Sequence, residues 1–415
     1  MQDHPPDDET YESDGEKGGK LRPEHPAVAR IKHLTRAPAQ VGFVSISAAF
    51  LFVFLRFMLA GKRDLTSFVV AGSKYVNLSK LPSSLSVLSG SGYDGQFYYR
   101  LAVDPFVLSR SHGGITFDTP FRAQRIGYPF LSWLVSLGRP QLVPAAMILV
   151  NLLAIFAIGY FGAKLATHSG HHPIVGLILV AFPGYLFSIG RDLTEPTAAA
   201  LLLGAIVFII ANRSWIATAC LTASLLTRET GAILVGALFF IWVLRRIRGS
   251  EPADGESQPF YLWLIPGFVF LLWQLVVKLS EGHTALKSDI VGNLSIPFRA
   301  MISGILQRLS HPGSTANVLW LVQLAALVLV TCAALMAIRS SKSPAFLRLS
   351  LVLMVALTVS LSSEIWANSS DFRSLDLLWL LGWITIFWNG RTIPKWWAIA
   401  LVPTAMTGLQ LILFI

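Results

Sequence analysis

Residues 41–60, VGFVSISAAFLFVFLRFMLA, carry Arg56 as their single charged side chain. At about 20 residues the run has the length a helix needs to cross the hydrocarbon core of a bilayer. Upstream, residues 1–40 are polar and rich in Pro, Asp, Glu and Gly, which predicts a disordered tail and not a cleaved signal peptide. Arg30, Lys32 and Arg36 crowd the boundary, and such an excess of positive charge keeps the amino terminus in the cytoplasm. Downstream, residues 61–140 hold no run long enough to cross. Short amphipathic pieces and turn signals such as Gly113-Gly114 predict an external loop with juxtamembrane helices of its own.

The rest of the 415-residue chain repeats the first run. Hydrophobic residues make up 53% and charged residues 13%, against roughly 25% charged in soluble domains, and mean hydropathy is +0.59. A soluble single domain is excluded. Apolar runs at 141–163, 173–189, 196–211, 215–226, 231–244, 260–277, 317–338, 347–362, 375–388 and 396–414 predict an all-α polytopic membrane protein of about eleven transmembrane helices. These form one domain over 41–415 after the 1–40 tail. Counting alternately puts Lys164, Arg213, Arg245, Arg246, Arg248, Arg339, Lys342, Arg348, Arg391 and Lys395 on the cytoplasmic side, as the distribution of basic loops requires. The formal charge of +10 thus points to the lipid bilayer and helix orientation, with no nucleic acid partner. Cys220 and Cys332 both fall inside apolar runs and give no disulfide framework.

Beyond the tail, only Glu251, Asp254 and Glu256 among the acidic residues fall in a predicted cytoplasmic loop. Asp64, Asp94, Asp104, Asp118, Asp192, Glu195, Glu229, Glu281, Asp289, Glu364, Asp371 and Asp376 face outward. Arg191-Asp192, Arg228-Glu229 and Asp371-Phe372-Arg373 recur at separate helix ends of that face. Ordinary interfacial charge would give this pattern, and two features argue for more. The run 215–226 spans about 18 Å at 1.5 Å per residue, short of a core of roughly 30 Å. The break at Thr227-Arg228-Glu229-Thr230-Gly231 then lies at membrane depth, where ionised groups are tolerated only in a protein-walled, hydrated cavity. The segment from Arg191 to Glu195 joins two neighbouring spans and opens into the same hollow.

The segment 93–105, YDGQFYYRLAVDP, predicts a short helix with Asp94 at its start, Phe97 and Leu101 on one face and Pro105 past its end. Two readings of Asp94 stay open: a cap that satisfies free amides and suits the helix dipole, or a reactive carboxylate. The aromatic neighbours are likewise either an interfacial belt or the floor of a sugar site, where rings stack on CH faces and phenols orient hydroxyls. Tyr93, Gln96 and Tyr98 are the substrate-binding candidates here.

One cytoplasm-anchored span, a long first external loop opening on an acidic aromatic motif, and then many short spans resemble the GT-C class of integral-membrane glycosyltransferases, which use polyprenyl-phosphate sugars. YDGQFYYRLAVDP, with FRAQRIGYPFLSWL at 121–134, RDLTEPTAAALLL at 191–203 and LTRETGAIL at 226–234, further resembles bacterial membrane proteins grouped loosely with GPI-type mannosyltransferases. The resemblance implies that Asp94 is the general base that removes the proton of the acceptor hydroxyl. It implies direct displacement of mannose, or another hexose or pentose, from a polyprenyl-phosphate sugar donor to a lipid, glycan or protein acceptor. That class often has two adjacent acids at this point, whereas this chain has Asp94-Gly95, which disfavours a bound divalent cation and leaves the base in place.

A leaving phosphate calls for cations, and the candidates are Arg191, Arg228 and Arg373, with Lys278 and Arg125 behind them. Arg122 and Arg125, three apart, either share a helical face above the membrane or anchor lipid head groups. Asp192, Glu195 and Glu229 order these arginines, bind sugar hydroxyls, or serve as structural ion pairs at the break, and Asp371 is a further substrate-binding candidate. His168, His171 and His172 read as a solvated turn, and no His or Cys cluster has metal-ligand spacing. Without a phosphate-binding loop or dinucleotide fingerprint, a transferase here takes its sugar from an activated lipid. The competing reading is a transporter or flippase of a lipid-linked or anionic substrate, against which stands the lack of two related halves. The expected setting is a bacterial inner membrane, with the active site on the external, periplasmic face.

Overall fold

In a chain this apolar, lipid and core make similar demands, so helix lengths and the close approach of small residues decide the packing. The computed structural model describes residues 35–82, 84–249, 258–285, 292–310, 313–390 and 401–413, and within them the chain is mostly helical. Helix α1 (Pro38–Leu59) opens on a proline, which fits a first turn because its missing N–H is not needed there. A parallel pair, β1 (Ala71–Gly72) and β2 (Val87–Leu88), precedes α2 (Gly95–Val103). An antiparallel pair, β3 (Ser111–His112) and β4 (Ile115–Thr116), turns at Gly113-Gly114, both left-handed at φ +56° and +81°.

The helices that follow are α3 (Gly127–Val135), α4 (Val143–His168), α5 (Leu177–Val180), α6 (Pro183–Ile189), α7 (Glu195–Ile210), α8 (Ser214–Thr227), α9 (Ala232–Arg248), α10 (Tyr261–Glu281) and α11 (Arg299–Leu309). Next come α12 (Thr315–Ala337), α13 (Ala345–Val359), α14 (Ser363–Ala367), α15 (Asp376–Phe387) and α16 (Leu401–Leu413). Among the described residues, five helical segments are long and apolar enough to cross a membrane: Pro38–Leu59, Pro140–His168, Glu229–Arg248, Tyr261–Glu281 and Thr315–Ala337. Shorter apolar helices are α7, α8, α13 and α16.

The run expected as one helix over 173–189 is broken. A 3-10 turn at Pro173–Gly176 leads into α5, and the chain leaves helical geometry at Phe182, ahead of Pro183. Helix α11 was not among the expected elements. The tail residues 1–34, and with them Arg30 and Lys32, lie outside the described residues, as do Glu251, Asp254, Glu256, Asp289, Arg391 and Lys395.

Helix α1 packs on α4, which packs on α7; α7 lies on α8, α8 on α10, α9 on α13 and α12 on α15. Every residue of α15 is buried, Trp379 and Trp383 included. A helix that is apolar all round belongs at such a centre. Outward faces are equally apolar, as Phe43, Phe50, Leu51 and Phe54 of α1 are exposed, which suits lipid and not water. Arg56, 1% exposed, donates from Nε to the Gly190 carbonyl at 3.1 Å and from Nη1 to the Leu411 carbonyl at 2.6 Å. It thereby ties α1 to α16 and to the loop that leads into α7.

Candidate functional site

A chamber of about 870 Å³ opens where the 61–140 segment meets the break before α9, the end of α13 and the 367–374 segment. Asp94 stands in its wall at the start of α2. A capping residue takes extended backbone angles and turns its side chain back onto free amides. Asp94 is helical, at φ −59° and ψ −27°, and makes no capping hydrogen bond. Its Oδ1 instead lies 3.0 Å from Arg122 Nη1 and its Oδ2 3.0 Å from Arg373 Nη2. Gly95 explains the missing second acid: a Cβ there would stand 2.3 Å from the Arg191 carbonyl oxygen and 2.9 Å from that of Val69.

Four arginines and four further carboxylates surround this residue. Arg122 also grips Asp118 through Nε and Nη2, both at 2.8 Å. Arg373 reaches Glu195 Oε1 at 3.0 Å, Asp371 Oδ1 at 2.8 Å and the Tyr93 hydroxyl at 2.7 Å. Arg228 Nη1 lies 2.6 Å from the same Glu195 oxygen, while Ser188 donates to Glu195 Oε2 at 3.0 Å. Arg125 holds Glu229 through Nη2 and, at 2.9 Å, through Nε, and it donates to the Tyr98 hydroxyl at 3.1 Å.

The scaffold that aims these side chains is polar and buried. Trp273 of α10 donates to the Ala123 and Gln124 carbonyls at 3.2 Å, fixing the 3-10 turn Pro120–Gln124 that carries Arg122. A Cβ at Gly127 would stand 2.3 Å from Thr227 Oγ1, so only glycine lets α3 press against the end of α8, where Arg228 leaves the helix. Asn151 of α4 donates to the Tyr128 hydroxyl and to the Leu193 carbonyl, both at 3.0 Å, and accepts from Thr197 at 3.1 Å, which fixes the entry to α7.

Burial alone would push the Asp94 carboxyl up, but Arg122 and Arg373 outweigh it and hold the group at about 2. Burial pushes the Tyr93 phenol up to about 12, so it stays protonated. The cations lining the chamber are Lys74, Arg122, Arg125, Arg228 and Arg373, and the anions are Asp94, Asp118, Glu229, Glu364 and Asp371. Five against five leaves the wall formally neutral. Ile233 of α9, Met354 and Leu357 of α13 and Leu361 just beyond it add apolar side chains to the lining. The lining thus offers contacts to a polar group and to a hydrocarbon chain.

Of the residues anticipated from sequence, Tyr93, Asp94, Gln96, Arg125, Arg228, Glu229, Asp371 and Arg373 line the chamber. Glu195 lies behind it and bridges two of its arginines, and Tyr98 reaches it through Arg125. The Gln96 amide is committed to backbone, accepting from Gly72 at 3.0 Å and donating to Ser91 at 2.8 Å. Asp192 is not brought to the chamber. It is fully buried at φ +51°, and neither carboxyl oxygen has a hydrogen-bond partner among the described residues. Lys278 is exposed on α10 and lines no part of the chamber. Arg191 borders a smaller adjoining cavity.

Asp118, Glu364 and Lys74 were missed, and Arg122 was read only as a shared face or an anchor. The i, i+4 spacing of Asp118 and Arg122 was the available signal. The histidine turn is built and not merely solvated: His171 meets the Phe387 carbonyl at 3.0 Å and His172 accepts from the Ile174 amide at 3.2 Å. Among the described residues no three His, Cys, Asp or Glu side chains are grouped to hold a metal ion. The chain matches no family model, no curated protein and no solved structure.

Proposed function

We propose that this chain is a GT-C-like membrane glycosyltransferase that moves mannose, or another hexose or pentose, from a polyprenyl-phosphate donor to a lipid, glycan or protein acceptor. The observation that carries the reading is Asp94: a helix-start carboxylate that caps nothing and is held between two arginines in a chamber lined by both charged and apolar side chains. The acceptor oxygen attacks the anomeric carbon while Asp94 takes its proton. The bond from that carbon to the phosphate oxygen breaks, and polyprenyl phosphate leaves with the bonding pair. The isoprenoid chain lies along Ile233, Met354 and Leu357, between α9 and α13.

Ion pairing sets the timing. In the free protein Arg122 and Arg373 neutralise Asp94 and keep it a weak base. A donor phosphate competes for the same guanidinium groups, which favour phosphate through paired hydrogen bonds. Drawn off Asp94, they let its affinity for a proton rise when an acceptor needs it. A divalent cation is not favoured, since no second acid fits at Gly95.

The proposed topology is eleven spans in a bacterial inner membrane, with the amino terminus cytoplasmic and the chamber periplasmic. Its support is the separation of charge: Arg245, Arg246 and Arg248 end α9, whereas the Glu229 end of that segment meets the chamber. The test is purified protein in liposomes with labelled polyprenyl-phosphate hexoses and pentoses and an envelope extract as acceptor. Transfer of label with release of polyprenyl phosphate is expected. Redistribution of intact donor between leaflets without cleavage would replace the reading with a flippase.

A further inference from the structure

A second cavity, of about 260 Å³, lies beside the chamber between α6, α12, α16 and the 368–370 segment, and the two share Asn368 and Ser370 in their walls. Its charge differs in kind. Arg191 and Arg308 line it and no acidic side chain does, whereas the five cations of the chamber meet five anions. The Arg191 guanidinium sits 4.6 Å from the Tyr93 ring centre and 4.4 Å from that of Phe187. It has no hydrogen bond or ion pair among the described residues, and its Nε is buried without a partner. Arg308 donates to the Ala367 carbonyl and lies 5.9 Å from the Trp320 ring centre, again with no carboxylate.

Taking a guanidinium out of water without a counter-charge is costly, and ring faces return only part of that cost. An anion in the cavity would give the buried Arg191 Nε an acceptor and supply both half-buried arginines with a counter-charge on the cavity side. Asn368, Ser369, Ser370 and Gln410 add polar groups around it, and Leu319 and Leu411 close an apolar side. The outward faces of α12 and α16 expose Val318, Leu409 and Leu413. At about 260 Å³ the cavity falls below the roughly 300 to 1,000 Å³ of pockets that enclose a whole small molecule. A head group fits and a glycolipid does not.

We propose that this cavity is an anion site for a phosphate ester or phosphate ion, gripped by Arg191 and Arg308 and separate from the Asp94 chamber. The shared Asn368 and Ser370 wall makes it the seat of a second phosphate, that of the acceptor, and only this assignment rests on the proposed transfer.

The full-length protein in detergent is titrated with phosphatidic acid, with phosphatidylcholine and with inorganic phosphate, and bound species are read by native mass spectrometry. Phosphatidic acid is expected to bind at least ten-fold tighter than phosphatidylcholine. Arg191→Gln and Arg308→Gln should each cost about ten-fold, and Arg191→Lys should retain more binding than Arg191→Gln. Inorganic phosphate that displaces the lipid assigns the site to free phosphate, and failure to displace it assigns the site to a lipid head group. Both outcomes support an anion site. Equal binding of the two lipids, or wild-type binding by both Gln variants with unchanged melting curves, overturns it. If one Gln variant does not fold, the other decides. Binding is read without turnover, so this failure and a failed transfer assay are separate results.

Discussion

Asp94 is a carboxylate whose strength as a base depends on what its two arginines are doing. Held at about 2 in the free protein, it is ionised across the physiological range, and a base so far from the working pH transfers protons poorly. In the proposed transfer, a phosphate that engages Arg122 and Arg373 should return the Asp94 pKa toward the ordinary carboxylate range. The two kinetic profiles should therefore part. Since kcat/KM reports the free protein, it should show no acid limb between pH 5 and 8, while kcat, which reports the donor complex, should begin to fall at a higher pH than the free-protein value. Arg373→Gln removes one of the holding cations and should lift the free-protein limb. An acid limb in wild-type kcat/KM near pH 6 would contradict this. The role of Asp94 was not legible from its neighbours, because a cap and a base both suit a helix start. Its helical backbone angles, without a capping hydrogen bond, and a guanidinium 279 residues away set the cap aside and place Asp94 in an ion pair.

Helix α8 shows what sequence arithmetic can reach. Its 14 residues rise about 21 Å, too short to cross, and the expected hollow is found at its end. There Glu195, from the start of α7, bridges Arg228 and Arg373 from two distant segments. Replacing it as Glu195→Gln leaves two buried guanidinium groups short of a counter-charge, and the loss should be about 3 to 5 kcal/mol. A melting temperature lower by several degrees is expected, and an unchanged one would show that the bridge is not structural. Two elements escaped the reading for opposite reasons. The 173–189 run stays apolar through Pro183, so its break has no hydropathy signal, whereas α11 is interrupted by Arg299, Gln307 and Arg308 and falls below the apolar threshold of a span.

The proposed orientation of the whole molecule rests on α9, which ends on Arg245, Arg246 and Arg248 while the Glu229 end of the same segment meets the chamber. Ser73, in the segment bearing the chamber, and His168, at the far end of α4, are both exposed. In a background without Cys220 and Cys332, Ser73→Cys should react with an impermeant maleimide in intact cells, and His168→Cys only after lysis. The reverse pattern would invert the proposed orientation. The chamber itself was less legible, since its volume arises from how α9, α13 and the 61–140 segment lean together and from ion pairs that no periodicity encodes. The proposed transfer turns on Asp94 taking a proton. Single-turnover transfer by Asp94→Asn, with donor binding and melting measured alongside, tests it most directly. A rate lower by about 10² to 10⁴-fold with donor still bound is predicted, and transfer at the wild-type rate would contradict it.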